Sequence, residues 1–403
     1  MSNILFLSIS YDLNKKDIYC DLVDSLLDNK HKVTVVSSAS SKVVEKENFR
    51  LIGFNNSITG KTNLIKKGLD TILIGRKFKS IIKKELNNEK FDLIIYATPP
   101  ITLNLPVKYA KKKYNAKTYL MLKDIFPQNA IDLEMFKKSS IIYKYFRRKE
   151  KQLYDISDKI GCMSQGNVDY LLRHNPRISK NKVEIFCNAI KIDKNSNREN
   201  KLYRNETIFM FGGNLGKPQN ISGLLNIVDR LKEYDKAKFL IVGKGAFDSL
   251  IKEYITANNP TNLIFKTYVP KEEYDQLLKN ADVGLISLDP RFTIPNIPSK
   301  LPTYMNLHKP VLAITDCNTD LKDIIMSSKC GWWCEATKTE EIRVSGHRWN
   351  KVVVDKAATC GTAGSQHIEC SVCGEKQAAT TIPATGKHSF GDYKVTKALT
   401  VLA

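Results

Sequence analysis

The sequence predicts an α/β protein with two Rossmann-like domains facing a cleft, followed by a small β-rich C-terminal appendage. Short β-rich runs alternate with longer helical patterns along most of the 403 residues. A polar, charged stretch over residues 191–206 divides this alternation, and after about residue 337 the pattern changes to Cys, His, Thr, Ala and Gly without a long helix. We therefore expect domains over residues 1–190, 207–337 and 338–403.

The elements of the first domain follow from the period of its apolar residues. Short runs rich in Val, Ile, Leu and Tyr predict strands, because buried parallel strands are continuously apolar. They lie at residues 4–9, 32–37, 93–97, 118–122, 159–163 and 183–186. Longer segments with apolar residues three to four apart predict helices at residues 17–29, 64–86 and 143–156.

The same alternation is repeated in the second domain. Strands are expected at residues 207–211, 238–242, 262–265, 283–287 and 311–314. Helices are expected at residues 221–233, 247–258, 271–280 and 299–307. Because ligands of open α/β sheets bind at the carboxyl ends of the strands, the active site should face the cleft between the two domains.

Composition narrows the class of protein and of partner. With 42% hydrophobic residues the chain is globular, and its net charge of +21 favours anionic partners. The longest apolar run, residues 91–107, is interrupted by prolines, so no membrane-spanning helix is expected. The N-terminus lacks the basic residues of a secretory signal, and the cysteines up to Cys334 are scattered as in reduced cytosolic proteins.

The strongest local motif is FMFGGNLGKPQ at residues 209–219, where a strand runs into glycines and a lysine before a helix. Gly212, Gly213 and Gly216 allow backbone N–H groups to turn toward an anion, and Lys217 adds a positive charge. The motif predicts a diphosphate site. A tight strand-to-helix turn without a ligand is the structural alternative.

Further motifs follow in a fixed order. They are IVGKGA at 241–246, ADVGLISL at 281–288, IPSK at 297–300 and KPVLA at 309–313, preceded in the first domain by YATPPIT at 96–102 and LKDIFPQNAIDL at 122–133. Over residues 1–337 this set resembles the retaining, family-four GT-B glycosyltransferases. It is most similar to the subgroup that assembles capsular and lipid-linked surface polysaccharides in bacteria.

The resemblance implies donor-binding roles for eight residues of the second domain. Three would contact the donor diphosphate, one the phosphate or sugar, two would lie beside the nucleotide base, and two would begin the helix that receives the donor. In that order they are Gly213, Asn214 and Lys217; Lys244; Tyr268 and Val269; and Ser299 and Lys300. For Ser299 a plain helix N-cap is the alternative.

One departure from the family pattern concerns a Glu-x7-Glu element, which commonly holds the ribose or the sugar hydroxyls. Its two positions are Pro295 and Thr303 in this chain. The absence of both carboxylates puts the details of donor binding in doubt. It favours, as an alternative to an active enzyme, a catalytically defective nucleotide-sugar-binding protein from a fused or truncated coding sequence.

Transfer from a nucleotide sugar requires that the leaving diphosphate be neutralised and the acceptor hydroxyl be placed. Lysines and helix N-termini can do the first, so no cofactor should be required. Asp124 follows the strand at 118–122 and faces the cleft, which makes it the candidate catalytic residue that orients or deprotonates the acceptor. A turn or N-cap aspartate is the alternative.

Two helical segments are basic and amphipathic. Residues 61–84 contain Asp70 as their one acid, and residues 137–151 contain Glu150 as theirs, among many Lys and Arg. Such helices bind anionic membrane surfaces, although core-packed helices with a solvated face have the same pattern. Nucleic-acid binding is not expected, because no basic-aromatic or zinc-finger motif accompanies the charge.

The last segment resembles a Cys-containing repeat of bacterial cell-surface proteins, through HRW at 347–349, ATC at 358–360, CSVCG at 370–374 and IPATGKH at 382–388. Cys360, Cys370, Cys373 and His388 could bind a structural zinc, with disulfide pairing as the alternative. Because such a module is foreign to GT-B enzymes, we expect the second domain to be truncated.

Together these observations predict a cytoplasmic glycosyltransferase, peripheral on the inner face of the membrane. It would transfer a sugar with retention from a nucleotide diphosphate sugar, most plausibly a UDP-sugar, to a lipid-linked saccharide in surface polysaccharide biosynthesis.

Overall fold

The computed structural model describes residues 1–13, 17–38, 42–54, 64–192, 206–234, 236–339, 342, 349–370 and 376–386, with the side chains of 64–70, 349, 350 and 370 excepted. The chain divides into two compact units, Met1–Ile342 and Arg343–Ala403. Most of the predicted linker at 191–206 lies outside the described residues.

The first half of the larger unit is built on an eight-stranded sheet with the order β3-β4-β2-β1-β5-β6-β7-β8. Its strands are β1 Asn3–Ser8, β2 Lys32–Ser37, β3 Val43–Lys46, β4 Phe49–Gly53, β5 Leu93–Ala97, β6 Lys117–Leu122, β7 Lys159–Cys162 and β8 Val183–Ile185. All pairs are parallel except β3 with β4. The central strands are almost fully buried because helices cover the sheet.

The described residues of this half form six α-helices: α1 Ile18–Asp28, α2 Leu64–Glu85, α3 Asn104–Tyr114, α4 Gln128–Asp132, α5 Ile141–Ile156 and α6 Gln165–His174. Side-chain caps fix where three of them begin. Asp17 accepts hydrogen bonds from two backbone N–H groups of α1, and Ser140 and Ser164 each accept one at α5 and α6.

The second half is built on a six-stranded sheet in which every strand pair is parallel, with the order β11-β10-β9-β12-β13-β14. Its strands are β9 Thr207–Asn214, β10 Ala237–Lys244, β11 Leu263–Lys266, β12 Val283–Ser287, β13 Val311–Thr315 and β14 Gly331–Glu335. The helices are α7 Ile221–Arg230, α8 Asp248–Asn258, α9 Lys271–Asn280, α10 Lys300–Asn306 and α11 Leu321–Ser327.

Strand order defines a switch point in each sheet. The chain moves outward from β1 through β2 on one side and returns to β5 on the other, and it does the same from β9 through β10 and back to β12. Loops at such a point diverge to opposite faces of the sheet and leave a crevice at the carboxyl ends of the strands. The fold therefore places the crevices beside β1 and β5 and beside β9 and β12.

The predicted α/β class and every predicted strand and helix are confirmed, with ends that differ by up to three residues. Four helices, α3, α4, α6 and α11, were not predicted, and neither were the hairpin β3–β4 and strand β14. Helix α3 was missed because Pro106 interrupts its sequence. Proline is tolerated there, since it lies in the first helical turn, where the N–H group has no intrahelical partner.

The smaller unit contains an antiparallel three-stranded sheet of β15 Trp349–Lys356, β16 Gly364–Cys370 and β17 Thr380–Ile382, which confirms the β-rich appendage. Within it the buried ring of His367 lies between Asp355, 2.6 Å from Nδ1, and Glu369, 3.1 Å from Nε2. The hydrogen bonds to Asp355 and then Glu369 raise the pKa of His367.

The zinc set predicted in this unit is only partly described. Cys360 is exposed and carries a free thiol, and Cys370 ends β16. Cys373 and His388 lie outside the described residues, so the zinc site stays a prediction. Among the residues that the structure describes, no helix is long and apolar enough to cross a membrane.

Gly284 tests the packing that supports the second sheet. A Cβ at this position would lie 2.5 Å from the ring of Tyr304, which is buried against β12. We expect Gly284→Ala to lower the stability of the larger unit by about 1–3 kcal/mol through overpacking. Thermal unfolding measures this, with Gly361→Ala as control because no atom of the described residues lies within 4 Å of its added methyl group. An unchanged unfolding midpoint for Gly284→Ala would contradict this packing.

Candidate functional site

A cleft of about 780 Å³ lies where the carboxyl ends of the two sheets face each other. The first half contributes residues that follow β1, β5, β6 and β7, and the second half contributes the ends of β9 and β12 together with α9 and α10. Both switch points open into it. The position agrees with the location expected for ligands of open α/β sheets.

The glycine turn at the end of β9 forms part of the cleft wall. Gly213 has a φ of +123°, which side-chain-bearing residues rarely adopt, and a Cβ there would lie 3.0 Å from Cε of Lys300. Gly213 and Asn214 are exposed and line the cleft. The backbone at this turn is therefore accessible from the cleft, and the diphosphate site stays a prediction.

Lys217 lies outside the cleft lining. It opens a short 3₁₀ turn, and its Nζ donates to the backbone carbonyl of Leu133 in the first half, at 3.4 Å. The N-terminus of α7 is also occupied, because the side chain of Asn220 accepts a hydrogen bond from the N–H of Gly223. The ammonium group of Lys217 and the first turn of α7 are therefore both hydrogen-bonded within the protein rather than directed at an anion.

Three other predicted donor residues also lie outside the cleft lining. Lys244 ends β10, pairs in register with Asn214 and is exposed. Tyr268 is 77% exposed, whereas Val269 is half-buried against the hydrophobic core. The structure thus places these residues on the second half but does not bring them together with Gly213 and Asn214.

Lys300 is one of the lysines that line the cleft. Its Nζ lies 3.7 Å from the centre of the Phe211 ring, and among the described residues no carboxylate comes within 4 Å of it. Burial lowers the pKa of Lys300 from 10.5 to about 7. Ser299 lines the cleft at the N-cap position of α10, but its side chain makes no capping hydrogen bond. The plain N-cap interpretation of Ser299 is therefore not supported.

Asp124 faces the cleft from the other half, directly after β6. Its two carboxylate oxygens accept from Nδ2 of Asn129 at 2.7 and 2.9 Å. The Thr98 hydroxyl donates to the backbone carbonyl of Asp124 and accepts from its N–H, which fixes the turn. Burial raises the pKa of Asp124 from 3.8 to about 6, against the hydrogen bonds from Ile125 N–H and Asn129. The carboxyl group can therefore exchange a proton near neutral pH.

Several cleft residues were not identified from the sequence. Lys123 is one, and burial lowers its pKa from 10.5 to about 8. Lys271 and Asp275, an ion pair at 3.1 Å on α9, also line the cleft. A polar residue next to a strand end, as for Lys123, is the signal that could have found it. Nothing local marks the α9 pair, because its position depends on how that helix packs.

The two positions of the missing glutamates differ in location. Thr303 lies on α10 and lines the cleft. Pro295 is buried outside the lining, and its carbonyl accepts from Nδ2 of Asn167 in the first half at 2.7 Å. The structure thus uses the first position to join the two halves.

Two protein-family models match adjacent segments of this chain. The model of Glycosyltransferase Family 4 matches residues 19–194, and that of Glycosyl transferases group 1 matches residues 193–344. The probable glycosyltransferase WbjE of Pseudomonas aeruginosa is 24% identical over 285 residues, which cover 68% of this chain and 70% of that protein.

Solved structures share the fold. WaaG, a glycosyltransferase involved in lipopolysaccharide biosynthesis, is 11% identical with a TM-score of 0.58, over 82% of this chain and 86% of that one. Anabaena HepE in complex with UDP is 15% identical with a TM-score of 0.53, over 83% and 85%. The catalytic domain of Arabidopsis thaliana starch synthase IV, bound to ADP and acarbose, is 10% identical with a TM-score of 0.58, over 78% and 83%.

The burial of Lys300 generates a prediction about its reactivity. Because only the neutral amine reacts, acylation of Lys300 should rise through a midpoint near pH 7 rather than near the ordinary value of 10.5. Labelling with a neutral acylating reagent across this pH range, followed by peptide mass spectrometry, measures the midpoint. Lys300→Met identifies the peptide. A midpoint near 10.5 would show that the amine is solvated.

Proposed function

We propose that this chain, a glycosyltransferase with the GT-B fold, transfers a sugar from a nucleotide diphosphate sugar to a lipid-linked saccharide. The transfer would proceed with retention. A UDP-sugar is the first donor to test. The reaction would belong to the biosynthesis of a bacterial surface polysaccharide such as a capsule.

The observation that carries this proposal is the composition of the cleft. One wall has Lys300, a cation without a carboxylate partner among the described residues, next to the exposed backbone of Gly213. The other wall has a carboxyl group of raised pKa, Asp124. An anionic leaving group on the first wall and an acceptor hydroxyl on the second are the two partners that a glycosyl transfer requires.

Lys300 and the backbone at Gly213 and Asn214 would bind the diphosphate. A buried lysine has lost much of its hydration, so a phosphate oxygen that contacts it restores the charged form of the amine. Ser299, whose hydroxyl makes no capping bond, is available to the same phosphates. Lys217 and Lys244 would add positive potential from outside the cleft lining, and Tyr268 and Val269 would lie beside the base.

Asp124 would orient the acceptor hydroxyl and accept its proton. The acceptor oxygen then forms a bond to the anomeric carbon, while the bond from that carbon to the diphosphate breaks and the electron pair leaves with the diphosphate. Asn129 holds both carboxylate oxygens of Asp124 and so sets its direction. Retention rests on the family-four resemblance and requires attack from the face that the diphosphate leaves.

Support for a lipid-linked acceptor comes from the relatives and from the surface. WaaG is described as acting in lipopolysaccharide biosynthesis. On this chain, α5 begins with Ile141 and Ile142, which are 84% and 54% exposed, while its opposite face packs in the core. Exposed basic residues surround them: Lys137, Lys138, Lys144 and Arg148.

We name this surface the α5 patch. Its exposed isoleucines match the hydrocarbon boundary of a membrane and its cations match anionic headgroups. The protein would thereby be peripheral on the cytoplasmic face of the cell membrane, where a lipid-linked acceptor is held. One face of helix α5 packs in the core and the other is exposed and basic, which supports the proposal without excluding a merely solvated face.

Donor binding is tested by calorimetric titration with UDP, GDP, UDP-sugars and GDP-mannose. We expect one nucleotide to bind and Lys300→Met to weaken it about tenfold or more, because a charged hydrogen bond is lost. The control is Lys252→Met, which changes an exposed lysine on α8. If the wild-type protein binds none of these ligands, the proposed function is wrong.

Transfer is tested separately with the nucleotide sugar that binds and a lipid-linked saccharide acceptor. Asp124→Asn should keep donor affinity and lower the rate constant of transfer by about a hundredfold or more, because the proton acceptor is lost. Wild-type protein that binds the donor but transfers no sugar is the result expected of the catalytically defective alternative. An unchanged rate in Asp124→Asn would remove Asp124 from catalysis.

Membrane binding is tested by sedimentation with vesicles of phosphatidylglycerol and phosphatidylcholine. The double variant Ile141→Ser, Ile142→Ser should have a membrane partition coefficient lower by about tenfold or more, because two apolar side chains lose their burial in lipid. Ile264→Ser is the matched control, because it removes an isoleucine that is 53% exposed on β11. Equal loss in both variants, or no binding to anionic vesicles, would contradict the role of the α5 patch.

A further inference from the structure

Four buried polar atoms in the cleft have no hydrogen-bond partner. Among the described residues nine buried side-chain nitrogen or oxygen atoms lack a partner, and four of them belong to cleft-lining residues. They are Oγ of Ser287, Nδ2 of Asn296, Oδ1 of Asn129 and Oδ1 of Asn188. Because buried polar groups are normally hydrogen-bonded, four such unpaired atoms in one cleft indicate that a ligand binds there.

Ser287 is the most buried of the four, at 3% exposure. It ends β12 at the switch point of the second sheet. Val283 pairs with Phe209 and Gly284 with Met210, and beyond these pairs both strands run to the cleft, where Ser287 and Gly213 are lining residues. Ser287 and the turn proposed to bind the diphosphate therefore lie at the ends of neighbouring strands in the same cleft.

The asparagines of the first half have a defined orientation. Nδ2 of Asn129 donates to the carboxylate of Asp124, so its Oδ1 is the free end. Nδ2 of Asn188 donates to the carbonyl of Ile297 at 3.1 Å, which likewise leaves Oδ1 unpaired. Ile297 directly follows Asn296, so Asn188 and Asn296 lie where the two halves meet.

The chemistry of these four atoms differs from that of the phosphate site. All are neutral, a hydroxyl and three amides, whereas Lys300 supplies the charge for phosphate. Asn129 and Asn188 offer acceptors, Asn296 a donor and Ser287 either one. Sugar hydroxyls donate and accept in the same way, and a sugar ring attached to the diphosphate would lie between Gly213 and Asp124.

We propose that Ser287, Asn296, Asn129 and Asn188 form the subsite for the ring hydroxyls of the transferred sugar. This inference rests on the proposed function, since it assigns one part of the same donor. Ser287, beside the diphosphate turn, contacts the sugar at the end nearest the phosphate, and the asparagines contact hydroxyls farther along the ring.

The subsite makes an unusual prediction for stability. A buried hydroxyl without a partner destabilises a folded protein, so its removal should not lower the unfolding temperature. Ser287→Ala is therefore expected to unfold at the same or a higher temperature while it binds the nucleotide sugar more weakly. A serine with a purely structural role would show the opposite.

Ser157→Ala is the matched control. Ser157 is 2% exposed, and its hydroxyl is hydrogen-bonded to Tyr96 and to the carbonyl of Leu153 in the first half. We expect this variant to lose stability and to keep its affinity for the nucleotide sugar. The pair separates the loss of a bonded serine hydroxyl from the loss of an unbonded one.

Calorimetric titration with UDP and with the UDP-sugar that binds best tests the subsite. For Ser287→Ala we expect the affinity for the UDP-sugar to fall about threefold to tenfold, and the affinity for UDP to stay within about twofold of wild type. An unchanged ratio of the two affinities would overturn the inference while leaving the proposed function in place. If wild-type protein binds neither UDP nor any nucleotide sugar, the proposed function fails and this inference with it.

Discussion

The position of the two halves depends on the contact between the buried carboxylate of Asp132 and the exposed residue Thr293. Asp132 is 9% exposed on α4, and its oxygens accept from the N–H group of Thr293 at 2.8 Å and from its hydroxyl at 2.9 and 3.0 Å. A buried carboxylate is stable only when it is hydrogen-bonded in this way. Because α4 follows the turn of Asp124, this contact also sets the distance between the walls of the cleft.

Other charges reinforce this contact. Arg291 forms a fork with Asp289, at 2.9 and 2.8 Å, and reaches Glu134 across the halves at 3.0 Å. The carboxylate of Asp320 accepts from the N–H of Gly166, at the start of α6, where the helix dipole favours a negative group. Lys300 in the cleft is different, because no carboxylate lies within 4 Å of its ammonium group among the described residues. The charges between the halves are thus paired, whereas the charge of Lys300 stays available in the cleft.

Most of the fold could be predicted because its information is local. The apolar strand at 283–287 and the helix at 271–280 match their sequence patterns residue by residue. Strand β3 was missed because Val43–Lys46 is largely exposed and has no apolar face. Strand β4 was missed although Phe49, Leu51 and Ile52 are buried. Strand β14 was missed because its two tryptophans and its cysteine do not have the Val- and Ile-rich composition of the other strands.

The site was predictable only in part. By itself the sequence determined the two Rossmann-like halves, the glycine turn at Gly213 and the cleft-facing carboxylate of Asp124. The reason is that strand ends and turns depend on residues that are adjacent in the sequence. Only the tertiary structure decided that Lys300 lies in the cleft while Lys217 bonds to Leu133, and that the Ser287 hydroxyl has no partner in the described part of the chain. The physical reason is that burial and pairing are set by elements far apart in the chain, which a local pattern does not contain.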